Sequence, residues 1–334
     1  VTLTSTGATT PTVLFTGETP TTTIAIGDNA TAAGTLDLSE AELNIVDATF
    51  EEIVVGVATT QSGDITVNES GGLVVNSTGL RLRTEAAGGD VVVQSDITTN
   101  GNFTVDGSRA SFHVAAPLVT ITTTGGAATI NDTIVFDTEG NDLAIVSGGG
   151  NVALNGTATA NTNTDRGEDI TITAGAGNVN LGRMGGTDTF GTGGANERLG
   201  TINIVSALNV DVYATVTAGV VDQDAGTGTT TFHSSLNLDN GAAADVLRID
   251  NVVNVAIVDA ANLTTGTSGN VFIDGTGAGT LSIGSGTASL DGSFNEQEFT
   301  SFTLGRSITT TNDAISFTDP TTITADITLD TDTG

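Results

Sequence analysis

Hydrophobic and polar residues alternate one by one in short segments along almost the whole chain. The clearest case lies near the middle, where Ile170 and Ile172 alternate with threonines, and Val179 and Leu181 alternate with asparagines. A period of two places successive side chains on opposite faces of a strand, so one face is apolar and the other polar. Between the two segments, the small residues at 174–177 permit a tight corner. This part of the chain therefore predicts a strand, a corner and a second strand.

Segments of this kind recur about every ten residues, a spacing typical of chains built from short strands. No long amphipathic helix interrupts them, so the candidate architectures are a β-sandwich, a barrel and a β-solenoid. One short helical turn is possible at Ser39–Glu42, where Ser-x-x-Glu has the spacing of a capping box. The edge of a strand fits the same residues equally well.

Internal repeats favour the solenoid over the other two architectures. The segment Phe50–Gly56 matches Phe299–Gly305 in the pattern Phe-x-x-apolar-x-apolar-Gly, and Gly63–Val67 is matched by Gly269–Ile273. Imperfect repetition of strand and turn units without helices is the signature of a chain whose coils bury their faces against one another. We therefore predict an all-β parallel β-helix of about 20–30 residues per coil, continuous over residues 1–334. We expect it to be right-handed, because parallel crossovers almost always are.

The repeated pattern, followed by a turn and Ile-[Thr/Ser]-[Val/Phe], resembles the repeats of filamentous-haemagglutinin-like, β-strand-repeat adhesins of bacterial surfaces. Two further segments, Asp169–Leu181 and Thr311–Leu329, are similar to the same group. The resemblance implies a right-handed β-helical shaft, a location outside the cell or on the bacterial cell surface, and a role in cell adhesion or filaments. The secretion domain of that family carries Asn-Pro-Asn motifs, and this chain has no Asn-Pro pair. The resemblance therefore concerns the shaft region only.

The composition excludes several classes of partner. The chain has 8 basic side chains, all arginine, against 39 acidic ones, for a net charge of -31. A protein that binds nucleic acid needs clustered positive charge to neutralise phosphates, and an anionic membrane surface attracts basic segments for the same reason. No apolar run approaches the roughly 18 residues of a membrane helix. The chain has no cysteine, which excludes disulfides and thiol catalysis.

The sequence offers no catalytic constellation, so we do not expect an enzyme. The two histidines, His113 and His233, each follow a phenylalanine in a strand-like segment and are expected to face outward. The alternative is a glycan-binding or glycan-cleaving β-helix of the tailspike or polysaccharide-lyase type, which would need paired carboxylates in one groove. We expect no cofactor, although oxygen-rich corners such as Asp330–Asp332 leave weak calcium binding open.

Two surfaces are candidates for contacts with other molecules of the same kind. Polar loops near residues 157–168 and 183–200 are predicted to project from the solenoid. They carry Arg166, Arg183 and Arg198, which we expect to form a lateral contact with an acidic face of another copy.

The second candidate surface is the pair of ends, where Val1, Leu3, Ile327 and Leu329 belong to similar strand-and-turn segments. Neither end shows a helix or charged cap in the sequence, and an uncovered strand edge invites another strand to add. The expected partners are further repeats or further copies of the same solenoid, with a cell-surface glycan as a further candidate. The predicted function is an extracellular structural protein that forms the shaft of a bacterial surface fibre or adhesin by head-to-tail stacking.

Overall fold

The computed structural model describes residues 11–30, 36–76, 79–85, 88–107, 110–160, 167–191, 198–242 and 244–331. These residues form an all-β structure with a single one-turn helix. The chain divides into two compact units, Val1–Asn161 and Thr162–Gly334.

Unit 1 is a stack of coils in which parallel strands form three rows. The first row contains β1, β4, β7, β10, β13 and β16; the second contains β2, β5, β8, β11, β14 and β17; the third contains β6, β9, β12 and β15. Each strand pairs in parallel with its equivalent one coil later, as Ile65 does with Val91 and Phe103 with Ala128. The elements are α1 (Glu40–Leu43), β1 (Thr12–Phe15), β2 (Ile24–Ile26), β3 (Leu36–Leu38), β4 (Glu52–Gly56), β5 (Ile65–Val67), β6 (Leu73–Val75), β7 (Gly79–Arg83), β8 (Val91–Val93), β9 (Ile97–Thr99), β10 (Phe103–Val105), β11 (Ser111–Val114), β12 (Leu118–Thr123), β13 (Ala128–Ile130), β14 (Thr133–Phe136), β15 (Asp142–Val146), β16 (Val152–Leu154) and β17 (Ala158–Thr159).

The core of unit 1 lies inside the coils and is built from the alternation that the sequence displays. In β5, Ile65 and Val67 are fully buried while Thr66 between them is half-buried, and the same pattern recurs in most strands of the unit. Burying one such aliphatic side chain contributes roughly 1.5–3 kcal/mol to stability. The polar residues of each strand lie on the outer face. The prediction of an all-β, parallel β-solenoid is confirmed.

An insertion after β2 of unit 1 covers one edge of β2 and one edge of β6. Val13 pairs with Ile53, a longer step along the chain than in the later coils, because this coil also contains β3 and α1. Strand β3 pairs in parallel with β2 on the side opposite β5. Helix α1 begins at a complete capping box, in which Ser39 accepts from the Glu42 N–H and the Glu42 side chain accepts from the Ser39 N–H. The sequence of Ser39–Glu42 allowed either a helical turn or the edge of a strand, and the structure forms the helical turn.

Helix α1 and the asparagine after it take the place of a neighbouring strand for β6. The Glu40 carboxylate accepts the N–H of Val74 at 3.0 Å. Asn44 donates to the Val74 carbonyl at 2.7 Å and accepts the N–H of Asn76 at 2.8 Å. The α1 segment therefore covers this edge of β6, whereas the expected lack of a cap at the Val1 end concerns residues outside those described. A helix of one turn is too short to show an amphipathic period in the sequence.

Unit 2 has the same three-row construction, but two of its strands turn a corner without a break. Strand β23 pairs with β20 and β25 through its first part and with β21 and β26 through its second part, and β26 also runs between two rows. Every described pairing in this unit is parallel. The strands are β18 (Ile170–Thr173), β19 (Val179–Leu181), β20 (Thr189–Phe190), β21 (Leu199–Ser206), β22 (Val210–Val212), β23 (Thr215–Gln223), β24 (Gly226–Phe232), β25 (Leu236–Leu238), β26 (Asp245–Ile257), β27 (Leu263–Thr265), β28 (Asn270–Gly275), β29 (Thr280–Ile283), β30 (Ala288–Leu290), β31 (Phe294–Gln297), β32 (Ser301–Leu304), β33 (Ile308–Thr310), β34 (Ile315–Phe317), β35 (Thr321–Ile323) and β36 (Leu329–Asp330).

The segment that shows the clearest alternation in the sequence forms β18, a tight corner and β19. The Gly177 N–H donates to the Ala174 carbonyl at 2.9 Å, and Gly175 has a φ of 59°, a conformation that glycine adopts without strain. Ile170 pairs with Ile202, and the polar excursion after residue 182 makes this coil longer than its neighbours. The strand, corner and strand predicted here are confirmed. A single continuous solenoid over residues 1–334 and its right hand remain predictions.

Candidate functional site

Polar side chains on the outer face join consecutive coils in both units. In unit 1, Asp96 Oδ1 accepts the N–H of Thr120 at 2.7 Å, and in unit 2, Asn254 Oδ1 accepts the N–H of Thr280 at 3.1 Å. Such contacts continue the ladder of the strands through the corners, where backbone donors would otherwise lack a partner. The same contact recurs at Asp90–Ser111, Asp169–Thr201, Asp259–Ser285, Asn262–Thr287 and Asn270–Ser293. Part of the acidic composition therefore holds the coils together.

A row of carboxylates lies on one flank of unit 2, and we call it the acidic row: Asp222, Asp224, Asp250 and Asp274. Arg248, which pairs across the strands with Asp222, lies among them. It makes an ion pair with Asp250 and a longer one, at 3.6 Å, with Asp222. Its strand neighbour on the other side is Phe272, which is half-buried on the outer face.

The carboxyl groups of Asp222, Asp250 and Asp274 have raised pKa values. Burial raises the pKa of Asp222 and Asp250, and the charge of Arg248 opposes this rise without cancelling it. Burial also raises the pKa of Asp274, with a hydrogen bond from Gln297 acting in the opposite direction. Raised carboxyl pKa values occur both at functional sites and in structural ion-pair networks. The row is thus the part of unit 2 that fits the glycan-active alternative.

His113 lies on the outer face of β11 between two aspartates. Its Nδ1 is 2.5 Å from Asp137 Oδ1, and its Nε2 is 3.5 Å from Asp90 Oδ2. Both ring nitrogens therefore face carboxylates, and neither is left to act as a base toward another molecule. This arrangement indicates a structural role, and the outward orientation expected from the sequence is confirmed.

His233 follows β24 and contacts two outward side chains of the preceding coil. Its Nε2 is 2.9 Å from Asp211 Oδ1, and its ring stacks on Tyr213 with the ring centroids 4.3 Å apart. Burial and, to a lesser extent, the charge of Asp211 raise the pKa of Tyr213. Like His113, this histidine ties two coils together on the outer face.

The arginines proposed for lateral contacts are bound within the protein where the structure describes them. Arg183 pairs with Asp188 at 3.0 Å, although 62% of its side chain is exposed. Arg198 donates to the carbonyl and the side-chain oxygen of Asn237 at 2.9 and 3.1 Å. Arg166 lies outside the described residues. A lateral contact through these arginines remains a prediction, and it would have to compete with these internal bonds.

The last described coil of unit 2 exposes apolar side chains. Strands β34, β35 and β36 each pair on one side only among the described residues, with β31, β32 and β33. Ile323 is 48% exposed and Leu329 is 46% exposed, whereas their equivalents one coil earlier, Leu304 and Ile308, are fully buried. Of the residues predicted for end-to-end stacking, Leu329 lies in β36 and is about half exposed, and Ile327 is half-buried and precedes that strand. Val1 and Leu3 are outside the described residues.

Within the described residues, no group of three or more acidic or histidine side chains is arranged to hold a metal ion. Weak calcium binding at the corner of Asp330 remains a prediction, and Asp332 lies outside the described residues. Unit 2 contains an internal void of about 10 Å³, lined by apolar side chains with Gln223 and Thr230. This volume admits at most about one water molecule, so the void is not a ligand site. No helix in the described part of the chain is long and apolar enough to cross a membrane.

Arg306 and Glu296 are among the buried charged side chains of unit 2, and the sequence predictions above include neither. Arg306 is 2% exposed and Glu296 is 1% exposed. For Glu296 a signal exists, because Phe294 and Glu296 have the spacing of two residues on the same strand face. For Arg306 there is none, because it lies outside any strand and its partners are backbone carbonyls.

Comparison of the chain with protein-family models, with curated proteins and with solved structures found no match in any of the three. The β-solenoid is therefore established here by the strand pairing and burial of the two units alone.

Proposed function

We propose that the chain is part of the shaft of an extracellular fibre or adhesin of the filamentous-haemagglutinin-like kind on a bacterial surface. The observation that carries this proposal is the last described coil of unit 2, whose parallel strands pair on one side only among the described residues and whose apolar side chains Ile323 and Leu329 are about half exposed. The partner that fits such an edge is another coil of the same construction, from further repeats or from another copy. The side-chain ladders between coils support a mechanical role, because they add to the backbone pairing along the stacking direction.

The charge of the protein predicts how this association depends on salt. Two copies of a chain with net charge -31 repel one another at low ionic strength. Added salt screens charges separated by more than about 8 Å at 0.15 M, so stacking should strengthen as salt rises. A contact between acidic and basic surfaces would show the opposite dependence.

Sedimentation velocity of the purified chain tests the proposal directly. We expect species whose mass rises with protein concentration at 0.5 M salt. The double variant I323D/L329D, which places charges on the open edge, should remain monomeric. The matched control is L118D, which alters an exposed leucine on the outer face of unit 1 and should associate like the wild type. A monomer at every concentration and salt, or equal association of both variants, would refute the proposal.

The second candidate is a glycan-binding or glycan-cleaving solenoid, and the acidic row is the observation that favours it. Carboxylates with raised pKa values, an arginine and an outward phenylalanine provide hydrogen-bonding groups and an apolar surface for a sugar ring. The variant D250N should abolish binding or depolymerisation of polysaccharides, whereas E139Q, an exposed acid in unit 1, should have no effect. Unchanged glycan binding by D250N, or no glycan binding by the wild type, would exclude this candidate.

A further inference from the structure

Glu296 is an acidic residue at an inward-facing position of unit 2. In β31 it alternates with the half-buried Asn295 and Gln297, and it lies in register with Ile273 of β28 and Phe317 of β34. The positions that flank it in the row are thus apolar, and only 1% of Glu296 is exposed. A carboxylate without water at such a position is costly unless it is protonated or fully hydrogen-bonded.

The carboxyl group of Glu296 has donors at one of its oxygens only. Oε2 accepts the N–H of Thr318 at 3.2 Å and, more weakly, that of Asp319 at 3.5 Å. Oε1 is buried and has no hydrogen-bond partner among the described residues. In return, the Asp319 carboxylate accepts the N–H of Phe299, which lies in the corner after β31, at 2.6 Å. The corners after β31 and β34 therefore bind each other through two acidic side chains.

The charged groups around this contact all have the same sign. Strand β28 contributes Asp274, the corner after β31 contributes Glu298, and the corner after β34 contributes Asp319. Strands β32 and β34 contain no titratable side chain. Among the described residues, no ion pair joins Glu296 or Asp319 to an arginine. Burial first, and then Asp319, raise the pKa of Glu296 to about 7.

We propose that Glu296 and Asp319 share one proton, and that this carboxyl–carboxylate pair holds the coil of β34, β35 and β36 onto the coil before it. In the closed state, the protonated carboxyl group of Glu296 donates to the Asp319 carboxylate. When the proton passes to water, two carboxylates face each other with no ion pair to an arginine among the described residues, and the coil loosens. Ile315 and Phe317 of this coil are only half-buried, and the coil is otherwise held by its strand pairing and by the edge-on packing of Phe317 against Phe294 and Phe302.

The sign of the pH dependence follows from the direction of the shift. An acid whose pKa rises from 4.5 in the unfolded chain to about 7 in the fold binds a proton more tightly when the coil is closed. The contact is therefore complete below pH 4.5, weakens as the pH rises toward 7, and is constant above that. Within this window, the equilibrium constant for opening increases by up to about tenfold per pH unit. Between pH 5.5 and pH 8.5, opening should therefore become about 30-fold more frequent.

Hydrogen exchange measured by mass spectrometry on the full chain tests this switch, after correction for the intrinsic pH dependence of exchange. The protection of peptides that cover residues 315–323 should fall by about 30-fold between pH 5.5 and pH 8.5. Peptides that cover β12 and β15 of unit 1 serve as the internal control and should not change over this range. The variant E296Q retains a side-chain donor for Asp319 and cannot ionise, so its protection should be independent of pH.

A second variant, D319N, removes the neighbouring negative charge and should weaken the pH dependence. If E296Q does not fold, D319N still tests whether the two carboxyl groups share a proton. Protection of residues 315–323 that is constant with pH in the wild type would overturn the proposal. So would a pH dependence that E296Q or D319N leaves unchanged. The exchange is measured at low salt and low protein concentration, where stacking through this coil is weakest, so failure of this proposal can be distinguished from failure of the proposed stacking.

Discussion

Replacing Arg306 with methionine removes a buried charge that binds three consecutive corners of unit 2. Among the described residues, the guanidinium donates to five backbone carbonyls and to no carboxylate. The shortest bonds are to Ala261 at 2.5 Å, Gly284 at 2.6 Å and Ser285 at 2.9 Å. The other acceptors are the carbonyl oxygens of Val258 and Thr287. Methionine keeps most of the length of the side chain but supplies no donor.

The loss of stability can be worked out from these acceptors. Three of them, Val258, Ser285 and Thr287, also accept a backbone N–H and so keep one partner. For the carbonyl oxygens of Ala261 and Gly284, Arg306 is the only hydrogen-bond donor among the described residues. Each buried carbonyl left without a donor costs about 1–3 kcal/mol, which gives roughly 2–6 kcal/mol for two. Because burial of the charge itself is costly and lowers the pKa of Arg306, part of this loss is regained. We therefore expect R306M to destabilise unit 2 by about 2–4 kcal/mol.

Urea unfolding followed by circular dichroism measures this difference, with hydrogen exchange of β30 and β33 as a local readout. The matched control is R183M, which removes a largely exposed arginine of the same unit and should cost at most about 1 kcal/mol. The free energies of unfolding of R306M and R183M should differ by at least about 1 kcal/mol. A difference of less than about 0.5 kcal/mol would refute this reasoning.

Three other predictions concern single positions. N44A removes both hydrogen bonds of this side chain to the β6 edge and should cost about 1–2 kcal/mol, with faster amide exchange in β6. Burial raises the pKa of Asp132 to about 6, so the free energy of unfolding of unit 1 should decrease as the pH rises from 4 to 6. Denaturation of the variant D132N should show no such decrease over this pH range. A Cβ at Gly279 would lie 1.4 Å from a backbone oxygen, so G279A should lower the urea midpoint strongly, whereas G277A, in open space at a φ of 75°, should cost about 1 kcal/mol.

The strands could be predicted because each one carries its own signal. Ile170 and Ile172 of β18 both point inward and are fully buried, as the period of two indicates. The parallel arrangement followed from repeats such as Phe50–Gly56 and Phe299–Gly305, since equivalent segments of a solenoid stack on one another. Alternation of apolar and polar residues involves only neighbouring positions, so it identifies a strand without knowledge of which coils meet.

Other features could not be predicted because they depend on which residues meet across coils. The long step between Val13 and its partner Ile53 is set by how β3 and α1 fold back, and no period in the sequence reports it. Asp222, Asp250 and Asp274 follow one another at intervals of about one coil along the chain. The strand register brings them close together and so forms the acidic row. Before the register is known, these residues are isolated acids in a chain that contains many.

Electron cryomicroscopy of the purified protein at high salt tests the central claim, that the coils stack into a shaft through the open edge of unit 2. The account predicts particles of constant width whose length increases with protein concentration. It also predicts a repeat of about 4.8 Å along their long axis, the spacing of hydrogen-bonded strands. Particles of a single length at all concentrations, or strands that run along the axis of the particle, would contradict the account.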